Sequence, residues 1–369
     1  MLELDFANSG TVDSPALVVY EDILRNNIRE ALRIADGDVD RLRPHVKTHK
    51  TLEVCEMLIA EGVTKFKCAT IAEAEMLAIA GARDILLAYQ PVGPKIERYL
   101  HLVLAYPQSR FACLIDSKMN AHILNTCFAN SSFKANVYID VNLGMNRSGV
   151  VPSRAWDLAD IIKDLPYLRV RGVHGYDGHI HESDPAARQA AADVAYSKLT
   201  AASNAVEEIL DYPLTKVIGG SPTFPIHIRR RDHNIECSPG TFVFWDCGYR
   251  LSYPDLPFAC AAVVLCRVVS ILDDHHVCID LGYKSIASEM PMPRAYIRAV
   301  NKAVPISQNE EHMVLEVDDA NRFGIGMIVY AFPEHICPTV ALYETIYVVR
   351  NHELATTWRV IARDRYINI

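Results

Sequence analysis

The segment RPHVKTHK, residues 43–50, holds the residues with the clearest chemical potential. Lys47 ends a short strand-like run, and His45 and His49 stand two positions to either side of it. A lysine at the end of a barrel strand can form a Schiff base with a carbonyl cofactor, which requires an uncharged amine. A solvated basic turn is the simpler interpretation of this segment alone, so the rest of the chain must decide.

Two turns rich in glycine and hydroxyl side chains could hold an anion. They are GGSPT at residues 219–223 and SPGT at residues 238–241. Glycine permits the close backbone approach that a phosphate requires. Most such turns are only turns, but two at neighbouring strand ends match the phosphate site common in barrels after strands 7 and 8. The candidate phosphate contacts are Gly220, Ser221, Thr223, Gly240 and Thr241.

Further polar residues follow predicted strands at the end where barrel enzymes carry out chemistry. Arg147 follows the sixth predicted strand, and Tyr176 and His179 follow the seventh. A lysine, a phosphate cradle and an arginine on one rim together suggest pyridoxal 5′-phosphate, PLP.

The segment PEHICPT, residues 333–339, suggests a metal site. His335 and Cys337 are two apart, so on an extended segment they would point to the same side and could both bind Zn²⁺. Ordinary packing is the commoner explanation of an isolated H-x-C pair, but Pro333 and Pro338 indicate a rigid loop. Two protein ligands plus water or substrate would make an open, catalytic site.

These residues need a scaffold, and residues 13–246 alternate short apolar strands with helical segments. The alternation predicts a closed (β/α)₈ TIM-type barrel over residues 14–250. A doubly wound open sheet is the alternative, although no GxGxxG follows the first strand. The strand candidates are residues 16–20, 42–46, 66–70, 85–89, 111–115, 137–141, 170–175 and 216–219.

From residue 258 onward, β-branched and aromatic runs follow one another with little helix between them. The strand candidates here are residues 261–271, 276–280, 295–299, 313–317, 327–332, 342–349 and 357–362. This pattern predicts a mostly antiparallel β domain over residues 251–369, which residues 1–13 join as an edge.

Composition narrows the function classes. The 369 residues carry a formal net charge of −8, which argues against a nucleic-acid or anionic-membrane partner. No apolar run reaches the length of a membrane span, and the acidic N-terminus lacks the apolar core of a signal peptide. The ten cysteines show no CxxC spacing, so we expect buried free thiols in a reducing cytoplasm.

The motifs resemble those of the fold-type III PLP enzymes, and most closely the zinc-dependent D-serine dehydratase and D-threonine aldolase family. The resemblance covers nearly the whole chain and implies an alanine-racemase-like barrel followed by a β domain. RPHVKTHK matches the family's cofactor-lysine segment, and PEHICPT matches its metal segment. GGSPT and SPGT match the phosphate segments, and GMNRSGV resembles the arginine segment. The resemblance thus implies that Lys47, Tyr176 and Arg147 lie beside PLP. It implies that His335 and Cys337 are zinc ligands. The turn residues that it implies beside the phosphate are Gly220, Ser221, Gly240 and Thr241. We also expect His45 and Thr223 to contact the cofactor.

Departures from the racemases indicate the reaction class. Ser238 stands where racemases carry the arginine that faces the pyridine nitrogen, and racemases lack the H-x-C segment. Aldolase-type members tend to have aspartate where this chain has Cys337, so the cysteine resembles the dehydratase branch.

The resemblance therefore implies a homodimeric lyase that converts D-serine to pyruvate and ammonia. Lys47, Tyr176 and His179 are the catalytic candidates. Aldolase-type cleavage of D-threonine is the nearest alternative, with His179 taking the hydroxyl proton. A non-catalytic PLP-binding protein and an amino-acid racemase are further alternatives.

Overall fold

Strands form where β-branched and aromatic residues cluster. The computed structural model describes residues 4–369, and these form sixteen strands. The strands are β1 (Ala16–Tyr20), β2 (Lys65–Cys68), β3 (Asp84–Leu87), β4 (Arg110–Ile115), β5 (Ala135–Asp140), β6 (Leu168–His174), β7 (Thr215–Ile218), β8 (Ile235–Cys237), β9 (Ala262–Asp273), β10 (His276–Ile279), β11 (Ala295–Arg298), β12 (Ala303–Gln308), β13 (Met313–Val317), β14 (Ile328–Pro333), β15 (Thr345–Arg350) and β16 (Glu353–Arg359).

Helices begin at residues that cap free backbone N–H groups. Thr70 accepts from the N–H of Glu73, and Asp184 accepts from the N–H of Ala187. None of the described helices is both long and apolar enough to cross a membrane. The helices are α1 (Glu21–Ile34), α2 (Leu52–Ala60), α3 (Ile71–Ile79), α4 (Pro94–Ala105), α5 (Lys118–Phe128), α6 (Ala155–Ile162), α7 (Pro185–Leu210), α8 (Phe224–His227), α9 (Cys247–Ser252) and α10 (Ile336–Val340).

The chain divides into two units. The barrel unit comprises Ala31–Lys47, Leu52–Gly240 and Asp364–Ile369. The sheet unit comprises the described part of residues 1–30 together with Thr48–Thr51 and Thr241–Arg363. The sequence-based boundary between residues 250 and 251 stays a prediction.

The barrel unit is built on a parallel sheet with the strand order β2-β3-β4-β5-β6-β7-β8. The segment 42–46, predicted as a strand, instead bonds to both edges of this sheet. The Arg43 N–H donates to the Cys237 carbonyl at 2.8 Å, and the Val46 N–H donates to the Lys67 carbonyl at 2.9 Å. The predicted parallel α/β architecture is confirmed, with seven regular strands and one bridging segment.

Arg43 forms two buried ion pairs inside the barrel unit. Its fully buried side chain donates to Glu236 at 2.6 Å and to Asp84 at 2.7 Å. Burial disfavours the cation, but the two carboxylates raise the pKa of Arg43 well above its ordinary value. Removing one member of such a buried pair typically costs about 3–5 kcal/mol.

The sheet unit confirms the predicted, mostly antiparallel β domain, but it also contains β1. We expected Ala16–Tyr20 to be the first barrel strand, and this was wrong. It pairs antiparallel with β9 and parallel with β15 in a nine-stranded sheet. All five residues are buried, and a short apolar run does not reveal which sheet buries it.

The N-terminal edge expected over residues 1–13 falls partly outside the described residues, which begin at Leu4. Within the described part, the Ala7 N–H donates to the His352 carbonyl at 2.8 Å. This contact lies inside the sheet unit.

Candidate active site

Lys47 follows the bridging segment 42–46, which bonds to β2 and β8 near their carboxyl ends. Its ammonium nitrogen lies 5.9 Å from the centre of the Tyr176 ring, and its backbone N–H donates to His45 Nδ1 at 3.2 Å. The predicted anchor lysine, its flanking histidine and the predicted ring partner therefore meet in the barrel unit.

Two further cations surround the Tyr176 ring. The Arg147 guanidinium carbon lies 5.1 Å from the ring centre, and Lys67 Nζ lies 5.7 Å from it. Cations are attracted to the electron-rich face of an aromatic ring, but three around one ring also repel one another. An anionic ligand at this rim would relieve the repulsion.

Lys67 was missed in the sequence analysis. It lies in β2 with its side chain buried, and its Nζ is 3.4 Å from His174 Nε2. His174 Nδ1 in turn lies 2.7 Å from an Asp140 oxygen. The available signal was a lysine between the apolar residues Phe66 and Cys68, because lysine is rarely buried without a partner.

Burial and neighbouring groups shift the pKa values of Lys67, His174 and Asp140. Burial, followed by the nearby charge of Lys47, lowers the pKa of Lys67 to about 7. Burial and the charge of Lys67 also lower the pKa of His174. Burial would raise the pKa of Asp140, but its hydrogen bond with His174 lowers it overall.

Backbone N–H groups in both of the predicted phosphate turns donate to protein acceptors. The Gly220 N–H donates to Asp177 Oδ1 at 3.2 Å, and the Gly240 N–H donates to the Ser221 hydroxyl at 3.1 Å. A bound phosphate would share these donors or displace the acceptors. Thr223 continues the first turn, with its N–H donating to the Gly220 carbonyl at 3.1 Å.

Asp177 is a second residue that the sequence analysis missed. It is buried, and its Oδ2 lies 2.9 Å from His227 Nε2. Burial would raise the pKa of Asp177, but hydrogen bonds, first of all with His227, lower it. An ionised carboxylate thus holds the turn that contains Gly220.

The structure offers one direct test of whether the barrel residues fit PLP. The Ser238 hydroxyl is buried and has no hydrogen-bond partner among the described residues. A buried hydroxyl without a partner costs free energy, which a ligand with a polar ring atom would recover. The three cations near Tyr176 suit the negative charge of the phosphate, so these residues fit PLP.

His179 packs against the loop that carries Arg147. A Cβ atom built on Gly144 would lie 2.8 Å from His179 Nε2, so only glycine leaves room for this ring. The His179 Nδ1 atom is buried without a partner among the residues described. This nitrogen is available to a ligand.

We expected His335 and Cys337 to lie together on an extended segment. In the sheet unit they do not. His335 has extended backbone angles and precedes α10, and Cys337 lies in the first turn of that helix. The two side chains nevertheless hydrogen bond to each other. The Thr48 hydroxyl lies 3.0 Å and the Thr241 hydroxyl 3.6 Å from Cys337 Sγ.

The environment of His335 suits a metal ligand. Glu289 Oε1 lies 2.5 Å from His335 Nδ1, an arrangement that commonly orients a ligating imidazole. Burial would lower the pKa of His335, but Cys337 and Glu289 raise it to about 9. The described residues contain no group of three or more acidic, histidine or cysteine side chains suited to a metal. The thiol of Cys337 beside the imidazole of His335 is a pair of side chains that fits zinc.

Comparison with known families agrees with this architecture. The model of the alanine racemase N-terminal domain matches residues 19–246, and that of a putative serine dehydratase domain matches residues 261–349. The chain therefore belongs to the family of the alanine racemase N-terminal domain, followed here by the second domain. The family resemblance carried by the sequence motifs is confirmed.

Individual relatives span almost the whole chain. A D-threonine aldolase of an Arthrobacter species is 26% identical, over 95% of this chain and 93% of its own length. A D-threo-3-hydroxyaspartate dehydratase of Delftia sp. (strain HT23) is 26% identical, over 94% and 97%. The crystal structure of D-threonine aldolase from Filomicrobium marinum superposes with a TM-score of 0.87 at 25% identity, covering 98% of each chain. These names describe lyases.

Proposed function

We propose that this protein is a PLP- and zinc-dependent lyase of D-3-hydroxy amino acids, and that it converts D-serine to pyruvate and ammonia. The observation that carries the proposal is the meeting of Lys47, Lys67 and Arg147 around the Tyr176 ring. The match to a putative serine dehydratase domain and the lyase relatives support the reaction class.

Lys47 would bond to the cofactor, with Arg147 and Tyr176 orienting it and the two turns holding its phosphate. When bound, PLP supplies an electron sink for negative charge at the substrate Cα. Once the substrate amine has replaced it on the cofactor, Lys47 Nζ would take the Cα proton, a role that requires a neutral amine.

His335 and Cys337 would hold Zn²⁺, since imidazole and thiolate are the ligands that zinc prefers. When bound, the ion would supply Lewis-acid stabilisation of negative charge on the oxygen of the substrate's β-hydroxyl.

Cleavage of the Cα–Cβ bond is the second candidate, favoured by the D-threonine aldolase relative. In that case a base takes the proton of the β-hydroxyl, and His179 is the candidate because its Nδ1 lacks a partner among the described atoms. Elimination remains the first proposal because of Cys337, at the position where aldolase-type members tend to have aspartate.

Incubation with D-threonine, PLP and zinc separates the candidates. Ammonia and 2-oxobutanoate would support elimination, and glycine and acetaldehyde would support cleavage. The appearance of L-threonine or L-allo-threonine would support a racemase or epimerase. Unchanged D-threonine, with D-serine also unchanged, would favour a PLP-binding protein without turnover. Omission of zinc and addition of a chelator are the controls for the metal.

We further propose a homodimer in the cytoplasm. The family resemblance supports the dimer. All ten cysteines are free thiols and eight of them are buried, as expected in a reducing compartment. The elution volume of the purified protein relative to standards tests the dimer.

A further inference from the structure

The barrel unit contains a cavity of about 310 Å³ at the amino ends of its strands, the end opposite the Lys47 rim. Lys65, Asp84 and Arg110, the first residues of β2, β3 and β4, line it. Arg169 and Arg171 of β6 line it as well. The proposed lyase chemistry uses none of these residues.

The carboxylates of this cavity already have cationic partners. Asp84 pairs with Arg43 and Arg110. Glu236 pairs with Arg43 at 2.6 Å and with Lys65 at 2.9 Å. Each carboxylate is thus shared by two cations.

Positive charge is therefore in excess. The five cations are Arg43, Lys65, Arg110, Arg169 and Arg171, and they face the two carboxylates Asp84 and Glu236. A third carboxylate, Asp40, lies 4.0 Å from Lys65 but is solvent-exposed. Even counting Asp40, two positive charges are uncompensated, in a chain whose overall net charge is −8.

The excess is located at Arg169 and Arg171. Arg171 Nε donates to the neutral amide oxygen of Asn136 at 2.8 Å. In the described part of the chain, no carboxylate forms an ion pair with either arginine. Burial, and then the charges of Arg169 and Arg110, lower the pKa of Arg171, as expected for a cation held beside other cations.

We propose that this cavity binds a small oxyanion, a phosphate or a carboxylate, through Arg169 and Arg171. Two guanidinium groups present planar pairs of donors that match the oxygens of either anion. A volume of about 310 Å³ is at the lower end of the range for small-ligand sites, which suits a compact anion.

Calorimetric titration of the purified protein, with its cofactor, tests this proposal with two probes. Inorganic phosphate and malonate are titrated separately at constant ionic strength set with sodium chloride. Saturable binding of at least one of them is expected, and the preferred probe identifies the anion class. The visible absorbance of the bound cofactor should not change. Absence of saturable heat from both anions overturns the proposal, as does loss of the cofactor absorbance with binding, which would locate the anion at the cofactor site.

Substitutions then locate the binding. Arg169→Gln, at an exposed position, should weaken the preferred anion at least tenfold. Arg171→Gln should do the same, while Arg171→Lys, which keeps the charge, should weaken it less. Arg231→Gln, at an exposed position outside the cavity, is the matched control and should leave affinity unchanged. Equal affinity in wild type and Arg169→Gln would place the anion elsewhere and overturn the assignment.

Discussion

Lys67 Nζ lies 3.4 Å from His174 Nε2, and this contact connects the rim that contains Lys47 to a buried carboxylate. His174 passes the connection to Asp140 through its other ring nitrogen, at 2.7 Å. The Asp140 carboxylate also accepts a hydrogen bond from the Ser148 hydroxyl at 2.9 Å. Lys67, a second lysine beside the Tyr176 ring, is thus held by a chain of polar contacts that runs through His174 to Asp140.

The titration of Lys67 should be visible in the stability of the cofactor-free protein. Its pKa is about 7 in the fold, against an ordinary value of 10.5. Between these pH values the unfolded chain holds a proton that the folded chain has lost, so stability rises with pH. Below pH 7 the contribution is constant and unfavourable. Urea unfolding of wild type and Lys67→Met should show the wild type gaining on the order of a few kcal/mol relative to the variant as pH rises from 7 towards 10.

Lys302→Met, at an exposed position, is the control for this measurement and should follow the wild-type pH curve. Parallel curves for wild type and Lys67→Met would mean that Lys67 titrates at its ordinary pKa. The lowered pKa of Lys67 in the folded protein would then be wrong.

Gly178→Ala should weaken PLP binding. A Cβ atom on Gly178 would lie 2.1 Å from Tyr176 Cε1, so the ring must leave its position between the cations. We expect the apparent Kd for PLP, measured from the absorbance of the bound cofactor, to rise about tenfold or more. Gly324→Ala is the control, because nothing lies within 4 Å of its added Cβ. Unchanged PLP affinity in Gly178→Ala would show that the position of Tyr176 does not matter for the cofactor.

Substitution of the proposed metal ligands should separate metal from cofactor. Cys337→Ala and His335→Ala should lose bound zinc and activity but keep the colour of bound PLP. Glu289→Gln should lower metal affinity by about 10–100-fold, because Glu289 only orients His335. Cys127→Ala, another partly exposed free thiol, should retain full metal content. Metal analysis after dialysis measures these outcomes, and full zinc content in Cys337→Ala would exclude Cys337 as a ligand.

The sequence predicts the architecture well where periodicity is strong. The alternation of strands and helices over residues 65–237 corresponds to β2–β8, and β13 is found at its predicted bounds, Met313–Val317. Ala16–Tyr20 was assigned to the wrong sheet because a fully buried strand has the same apolar run in either sheet. β12 (Ala303–Gln308) was missed because only two of its residues are buried, so its apolar run in the sequence is short.

Part of the candidate site could also be read from the sequence, because the ends of parallel strands lie at one rim. This rule brought Lys47, Tyr176 and Arg147 together correctly. It could not reveal Lys67, whose role depends on a contact with His174, 107 residues away in sequence. Nor could it reveal that the N–H groups of Gly220 and Gly240 donate to protein acceptors.

The identity of the lysine that carries the cofactor is the central claim, and Lys67 makes the test a sharp one. Borohydride reduction of the PLP-loaded protein fixes the cofactor to its lysine, and mass spectrometry of the digested protein identifies the labelled peptide. We predict that the label lies on Lys47 and that Lys47→Ala abolishes both label and colour. A label on Lys67, or one that persists in Lys47→Ala, would contradict the account.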